Sequence, residues 1–213
     1  MRAFGRWALW SLISLGVIIV ILRLTAIRWW RVPSNDPYLE ASVEPSLHGG
    51  DLVLLWRLTP PSLGSLALCP EPKHPERFVV GRLIGEERDT VRVEGTHVFV
   101  NDKVLASEGN CADPRFKVTP PQGGSELELG CSMEVASGLA HPRAEADSTA
   151  DIPAFEVELK TGLVALVSDN RRFPYDSRDY GAVERSTCTD TIFFRLFGAG
   201  GFFDASRRFQ YVR

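Results

Sequence analysis

Hydrophobic and polar positions divide this chain into an apolar N-terminal run, a stretch of short alternating segments and a polar interval that breaks the alternation. Residues 7–22 carry no charge, and after Arg23 the run resumes through residues 24–27 before Trp29 and Trp30. At about 1.5 Å per residue, about 20 residues cross a hydrocarbon core of ~30 Å, so the run spans it if Arg23 carries its charge to the interface. No small-x-small cleavage site follows, and residues 28–31 make a poor one, so the pattern predicts an uncleaved transmembrane helix. Arg2 and Arg6 precede the run while Arg23, Arg28 and Arg31 follow it, and charge alone sets no orientation.

Between residues 51 and 104 the sequence reads as β-type segments at 52–56, 65–68, 78–84, 90–93 and 97–100. Pro60-Pro61, the 70–75 loop, Glu94-Gly95 and Asn101-Asp102 separate them, each a turn former for its own steric reason. Glu94-Gly95-Thr96 predicts a hairpin. From about 107 to 152, Gly, Pro, Ser, Ala and acidic residues outnumber aliphatics, which predicts an irregular insertion of low β content with a loop-like end at 141–151. The β signal returns at 155–159, 163–168 and 191–196. The fold class expected is mainly β: residues 1–35 an anchor and its flank, 36–213 one antiparallel β domain with the insertion at about 107–152.

A chain of 213 residues with 44% hydrophobic content buries one core, and one domain plus an anchor suits that length. The net charge of −3, with signs interspersed, offers no footprint for nucleic acid. His48, His74, His97 and His141 are scattered and no Cys-x-x-Cys pair occurs, so no metal site and no cofactor are assigned. Aromatic and basic residues mix over 202–213, which reads as a packed surface segment more readily than as a membrane contact.

Ser42-Val43-Glu44-Pro45-Ser46-Leu47, then Gly50-Asp51-Leu52-Val53-Leu54, stand just after the apolar run. Ser168-Asp169-Asn170-Arg171 and Asp176-Ser177-Arg178-Asp179-Tyr180-Gly181 stand near the other end. In this order the blocks resemble the type I signal peptidases, membrane-anchored serine endopeptidases that cut secretory signal peptides. The resemblance covers about half of the chain, roughly 36–106 and 153–196. It implies a signal-peptidase-type antiparallel β domain on the extracytoplasmic side of a single-pass anchor, with signal-peptide-bearing exported proteins and membrane lipid as partners. Ser42 matches the nucleophile, a weak one unless a base takes its proton. Asp169, Asn170, Arg171, Asp176, Ser177 and Arg178 match elements that lock loops near the site, since Arg forms forked hydrogen bonds to carboxylates. If the domain is exported, Cys111 and Cys131 are the best candidates for a disulfide, closing a loop in the insertion. Four cysteines allow three pairings, and free buried thiols are the alternative.

Three departures fall on the chemistry. Gly81 stands where the resemblance implies a lysine base, leaving an expected open space, and neighbouring Arg82 stays protonated near neutral pH. Glu40 stands two residues before the nucleophile, where a carboxylate repels a developing oxyanion. Pro174 replaces a serine that would steady the lysine. Glu40 becomes an alternative base if residues 40–42 are extended, because i and i+2 then share a face and burial raises a carboxyl pKa. His48 serves only if the chain folds back after Pro45, and Lys73 or His74 would have to come from a loop. The resemblance thus implies a signal-peptidase-like serine endopeptidase. The competing readings are a silent homologue that binds exported peptides or secretion components, and an unrelated anchored β domain.

Overall fold

The computed structural model describes residues 2–145, 152 and 154–212. It opens with helix α1 (Arg2–Thr25), strand β1 (Ile27–Arg31), helix α2 (Pro37–Val43) and strands β2 (Leu52–Trp56), β3 (Leu66–Pro70), β4 (Phe78–Gly85), β5 (Thr90–Glu94), β6 (His97–Val100) and β7 (Lys103–Val104). Strands β8 (Ala106–Val118), β9 (Leu127–Ala136), β10 (Leu139–Glu145), β11 (Phe155–Glu158) and β12 (Leu163–Val167) follow. Helix α3 (Ser177–Tyr180) and strands β13 (Val183–Glu184), β14 (Asp190–Phe197) and β15 (Gln210–Tyr211) complete the chain.

The main sheet runs β1-β2-β14-β3-β4-β12-β13, with β15 added to β14, and every pairing in it is antiparallel. Alternation assigns its two faces. Leu66, Leu68, Val80 and Ile192 pack with Leu39 and Val43 of α2 on one face. Val79, Leu83, Val164 and Leu166 pack with Tyr180 on the other. A second sheet, β11-β5-β6-β7, contains the expected hairpin at Glu94-Gly95-Thr96, where Gly95 takes a positive φ of 56°. Strand β1 lies within the stretch assigned to the anchor flank, so the sheet begins ahead of residue 36.

Residues 106–145 correct one expectation: the insertion is a three-stranded antiparallel sheet, β10-β9-β8, and not irregular chain. Its alternation went unseen because the inward positions of β9 and β10 are polar. Ser132, Glu134, His141 and Arg143 are buried, with His141 opposite Glu134 and Arg143 opposite Ser132. The expected loop-like end at His141 is therefore a buried strand up to Glu145, and 146–151 lie outside the described residues. Cys111 and Cys131 are bonded across β8 and β9. Cys69 and Cys188 are also bonded, joining β3 to the segment before β14, which replaces the free-thiol alternative.

Helix α1 has described side chains in an unbroken row only from Leu9 to Thr25. No helix among the described residues is long and apolar enough to cross a membrane, so the expected transmembrane helix is not met by that measure. The helix itself forms as its composition dictates, being rich in Leu and Ile and free of proline.

Candidate functional site

Helix α2 carries Ser42, and its start is written locally. Asp36 accepts a hydrogen bond from the Leu39 amide at 3.2 Å, Pro37 occupies the first turn, and Pro45 disfavours helical backbone at Glu44. Leu39 and Val43, four residues apart, seat the helix on the main sheet. Ser42 is 0% exposed, and its hydroxyl donates to the Leu39 carbonyl at 2.9 Å. Because 37–43 are helical, the extended geometry that would set Glu40 beside Ser42 does not occur, since residues i and i+2 of a helix do not face each other. Glu40 lies instead against Gly49, whose amide it accepts; burial raises its pKa and that hydrogen bond lowers it.

Asn170 staples this helix to the loop after β12. Its amide donates to the Ser42 carbonyl at 3.1 Å and its Nδ2 to the Ala41 carbonyl at 2.8 Å. Its Oδ1 accepts the amides of Arg172 and Phe173, both at 3.0 Å. Asp169, fully buried, accepts from Arg82 Nε at 2.9 Å and Nη2 at 3.0 Å, and from the Ser46 hydroxyl. Burial pushes the Asp169 carboxyl up, but Arg82, His141 and these hydrogen bonds together hold it below the usual carboxylate range. Asp176 caps α3, pairs with Arg178 at 2.7 Å and accepts the Ser168 amide at 2.7 Å. Ser177 Oγ accepts the Leu166 amide at 3.0 Å. The last three residues brace the loop against β12, and Arg171 leaves it to pair with Glu134 of the insertion sheet.

Gly81 sits mid-strand in β4, paired with Ala67. A Cβ built there falls 3.0 Å from Leu166 Cβ and 3.4 Å from the Val167 backbone, so the expected open space is occupied by β12. Flanked by Val79 and Leu83, the position faces the Leu166 and Tyr180 cluster, whereas Val80 faces the cluster containing α2. Pro174 is half-buried in the loop before α3. Lys73 and His74 lie on the exposed turn between β3 and β4, where His74 Nδ1 is 3.6 Å from Glu76.

His48 does follow a fold-back, since Leu47 donates to the Val43 carbonyl, but it joins a different group of charges. Its pKa is lowered to about 4 by burial and then by Arg207. Glu44, four residues earlier, is raised to about 8 by burial and then by Glu40. The sequence reading missed His141, which is fully buried with Nε2 3.3 Å from Glu134 and 3.9 Å from Asp169. Burial raises Glu134, but Arg171, His141 and Arg143 bring it down to about 2. The signal for this cluster was the period-two spacing of Ser132 with Glu134 and of His141 with Arg143.

A family model described as signal peptidase, peptidase S26 matches residues 5–197. Signal peptidase I of Streptococcus pneumoniae serotype 4 (strain ATCC BAA-334 / TIGR4) is 27% identical over 197 residues, 88% of this chain and 91% of that protein. A crystal structure of a signal peptidase I from Enterococcus faecalis V583 aligns with a TM-score of 0.40 and 18% identity, over 62% of this chain and 96% of that one. The family match spans both the segment that carries Ser42 and the loop stapled to it by Asn170, and on that extent the chain belongs to the signal peptidase family, peptidase S26.

Proposed function

We propose that this chain is a membrane-anchored signal peptidase homologue that binds exported, signal-peptide-like segments and does not cleave them by serine–lysine chemistry. One observation carries the reading: the Ser42 hydroxyl is buried and spent on the Leu39 carbonyl, while the strand position implied for the base is a glycine backed against Leu166. A serine hydroxyl in that state has neither an activating base nor access to a carbonyl carbon. The scaffold around it is intact in Arg82, Asp169 and Asn170, which favours retained recognition. A cleft of about 400 Å³ between Asp36, Leu39 and Phe78, at the junction of α2 and β4, has room for a substrate side chain. The second reading, an active endopeptidase with Ser42 as nucleophile, draws on the same scaffold.

The anchor belongs to this proposal. Ile18, Ile19, Val20 and Ile21, about 100° apart in succession, point in different directions around α1 and all are exposed, and a helix apolar all round needs lipid or protein to cover it. The two disulfides favour an oxidising, extracytoplasmic compartment for the β domain. The test uses the full chain in detergent micelles with a fluorophosphonate probe and a synthetic signal peptide. Expected are no labelling of Ser42, no cleavage, and saturable peptide binding by fluorescence anisotropy. Cleavage that disappears in Ser42→Ala overturns the silent reading and establishes the second; absence of both cleavage and binding overturns both.

A further inference from the structure

The bond between Cys111 and Cys131 sits in a break of the insertion sheet. Strand β8 pairs Asn110 with Ser132 and Arg115 with Gly130, so residues 111–114 stand opposite the single residue Cys131 and bulge off the ladder. On either side the ladder holds without the bond: Ala106 and Ser107 pair with Val135 and Glu134, and residues 115–118 pair with 130–127. The disulfide thus tethers the bulge and not the sheet. The bulge forms one wall of a cleft of about 410 Å³, faced by Pro45, His48 and Pro142, and both cysteines line it. Cys111 is partly exposed, whereas Cys131 is 4% exposed. Arg115 borders the same cleft, as does Arg207, which pairs with Asp51 at 2.7 Å, and Asp113 is the carboxylate beside them. Guanidinium groups near a sulfur favour the thiolate that departs when a disulfide is cut. Cys69 and Cys188 differ on both counts, being 0% exposed and packed among Val79, Leu83 and Leu166.

We propose that Cys111–Cys131 is a thiol-exchange site, which a protein dithiol reduces in the folded chain, releasing residues 108–114 and with them one wall of the cleft beside the loop that follows Ser42. A thiolate of the dithiol attacks Cys111 Sγ, the more exposed sulfur, and the electron pair of the broken S–S bond leaves on Cys131 Sγ, which takes up a proton. The partner's second thiol gives up its proton and attacks its own sulfur in the mixed disulfide. Cys111 then departs as a thiolate and is protonated. This chain gains two electrons and two protons, and the partner is oxidised to a disulfide. Exchange at this bond is independent of whether the chain cleaves peptides or only binds them.

The test uses the full chain in detergent micelles with reduced thioredoxin as the protein dithiol. Free thiols are alkylated with N-ethylmaleimide and peptides are mapped by mass spectrometry. Expected are labelling of Cys111 and Cys131 with the Cys69–Cys188 bond retained, and, with a thioredoxin lacking its second cysteine, a trapped mixed disulfide at Cys111. Hydrogen exchange of the reduced protein should rise at residues 108–114 and stay unchanged at 115–118 and 127–130. Retention of both bonds in the folded protein, loss of both together, or an adduct at Cys131 overturns the proposal. Exchange rising across the whole of 106–136 also overturns it, since the bond would then hold the sheet itself.

Discussion

The Arg82 guanidinium grips both oxygens of Asp169, with Nε 2.9 Å from Oδ1 and Nη2 3.0 Å from Oδ2, and both side chains are essentially closed to solvent. The pair joins β4 to the loop that holds Ser42 in place. Removing one partner of a buried pair typically costs about 3–5 kcal/mol, because the remaining charge stays desolvated. Asp169→Ala is therefore expected to lower the melting temperature of the detergent-solubilised protein by roughly 6–20 °C. The double variant Arg82→Met, Asp169→Leu should melt above either single variant, as followed by circular dichroism.

Gly81 is a packing residue in this fold. With Leu166 Cβ 3.0 Å from a built Cβ, Gly81→Ala should destabilise by about 1–3 kcal/mol, and Gly81→Lys by more. Leu166→Ala opens the position, so the loss on Gly81→Ala should shrink in that background. Thermal melts of the four combinations measure this. Gly81→Lys alone is expected to leave signal-peptide cleavage at the level of the parent chain.

The two disulfides differ in the length of chain they close, 20 residues for Cys111–Cys131 and 119 for Cys69–Cys188. Loop-closure entropy assigns them about 3 and about 5 kcal/mol. Non-reducing peptide mapping should recover both linked pairs. Removing the pair Cys69 and Cys188 by alanine should lower the melting temperature more than removing Cys111 and Cys131.

Glu44 and His48 impose opposite pH dependences. Glu44 is raised to about 8 in the fold, so the folded state holds its proton more tightly and stability falls as pH climbs from about 4.5 to about 8. His48 is lowered to about 4, so its contribution is lost as pH falls from about 6.5 through 4. The two offset each other below pH 6.5. Between about 6.5 and 8 Glu44 acts alone, with a slope of up to about 1.4 kcal/mol per pH unit. Melting temperature should drop over that window, and Glu44→Gln should flatten the drop while leaving the acid limb of His48.

Local signals were enough for much of the architecture. Short apolar runs at Leu52–Trp56, Phe78–Gly85 and Asp190–Phe197 marked central strands: burial alternates along the first, while the second is buried on both faces, as suits a strand inside the sheet. The blocks around Ser42, Asp169 and Asp176 were legible through their resemblance to the type I signal peptidases; the Asp176 capping box is local, but the link from Asn170 to Ala41 joins distant segments. Asp36-Pro37 even announced helix α2, and reading it would have kept Glu40 apart from Ser42. Three decisions required the folded chain. The inward polar face of the insertion sheet is closed from outside it, where Arg171 pairs with Glu134 and Asp169 lies 3.9 Å from His141, and no window within 106–145 contains either partner. Gly81 proved to be filled space because Leu166, from a strand far along the chain, packs on it. Cys69 found Cys188 across 119 residues, since pairing depends on where β3 and the approach to β14 meet and not on spacing along the sequence. In each case the deciding atoms belong to a distant segment, and their contact energy exists only after the main sheet has assembled.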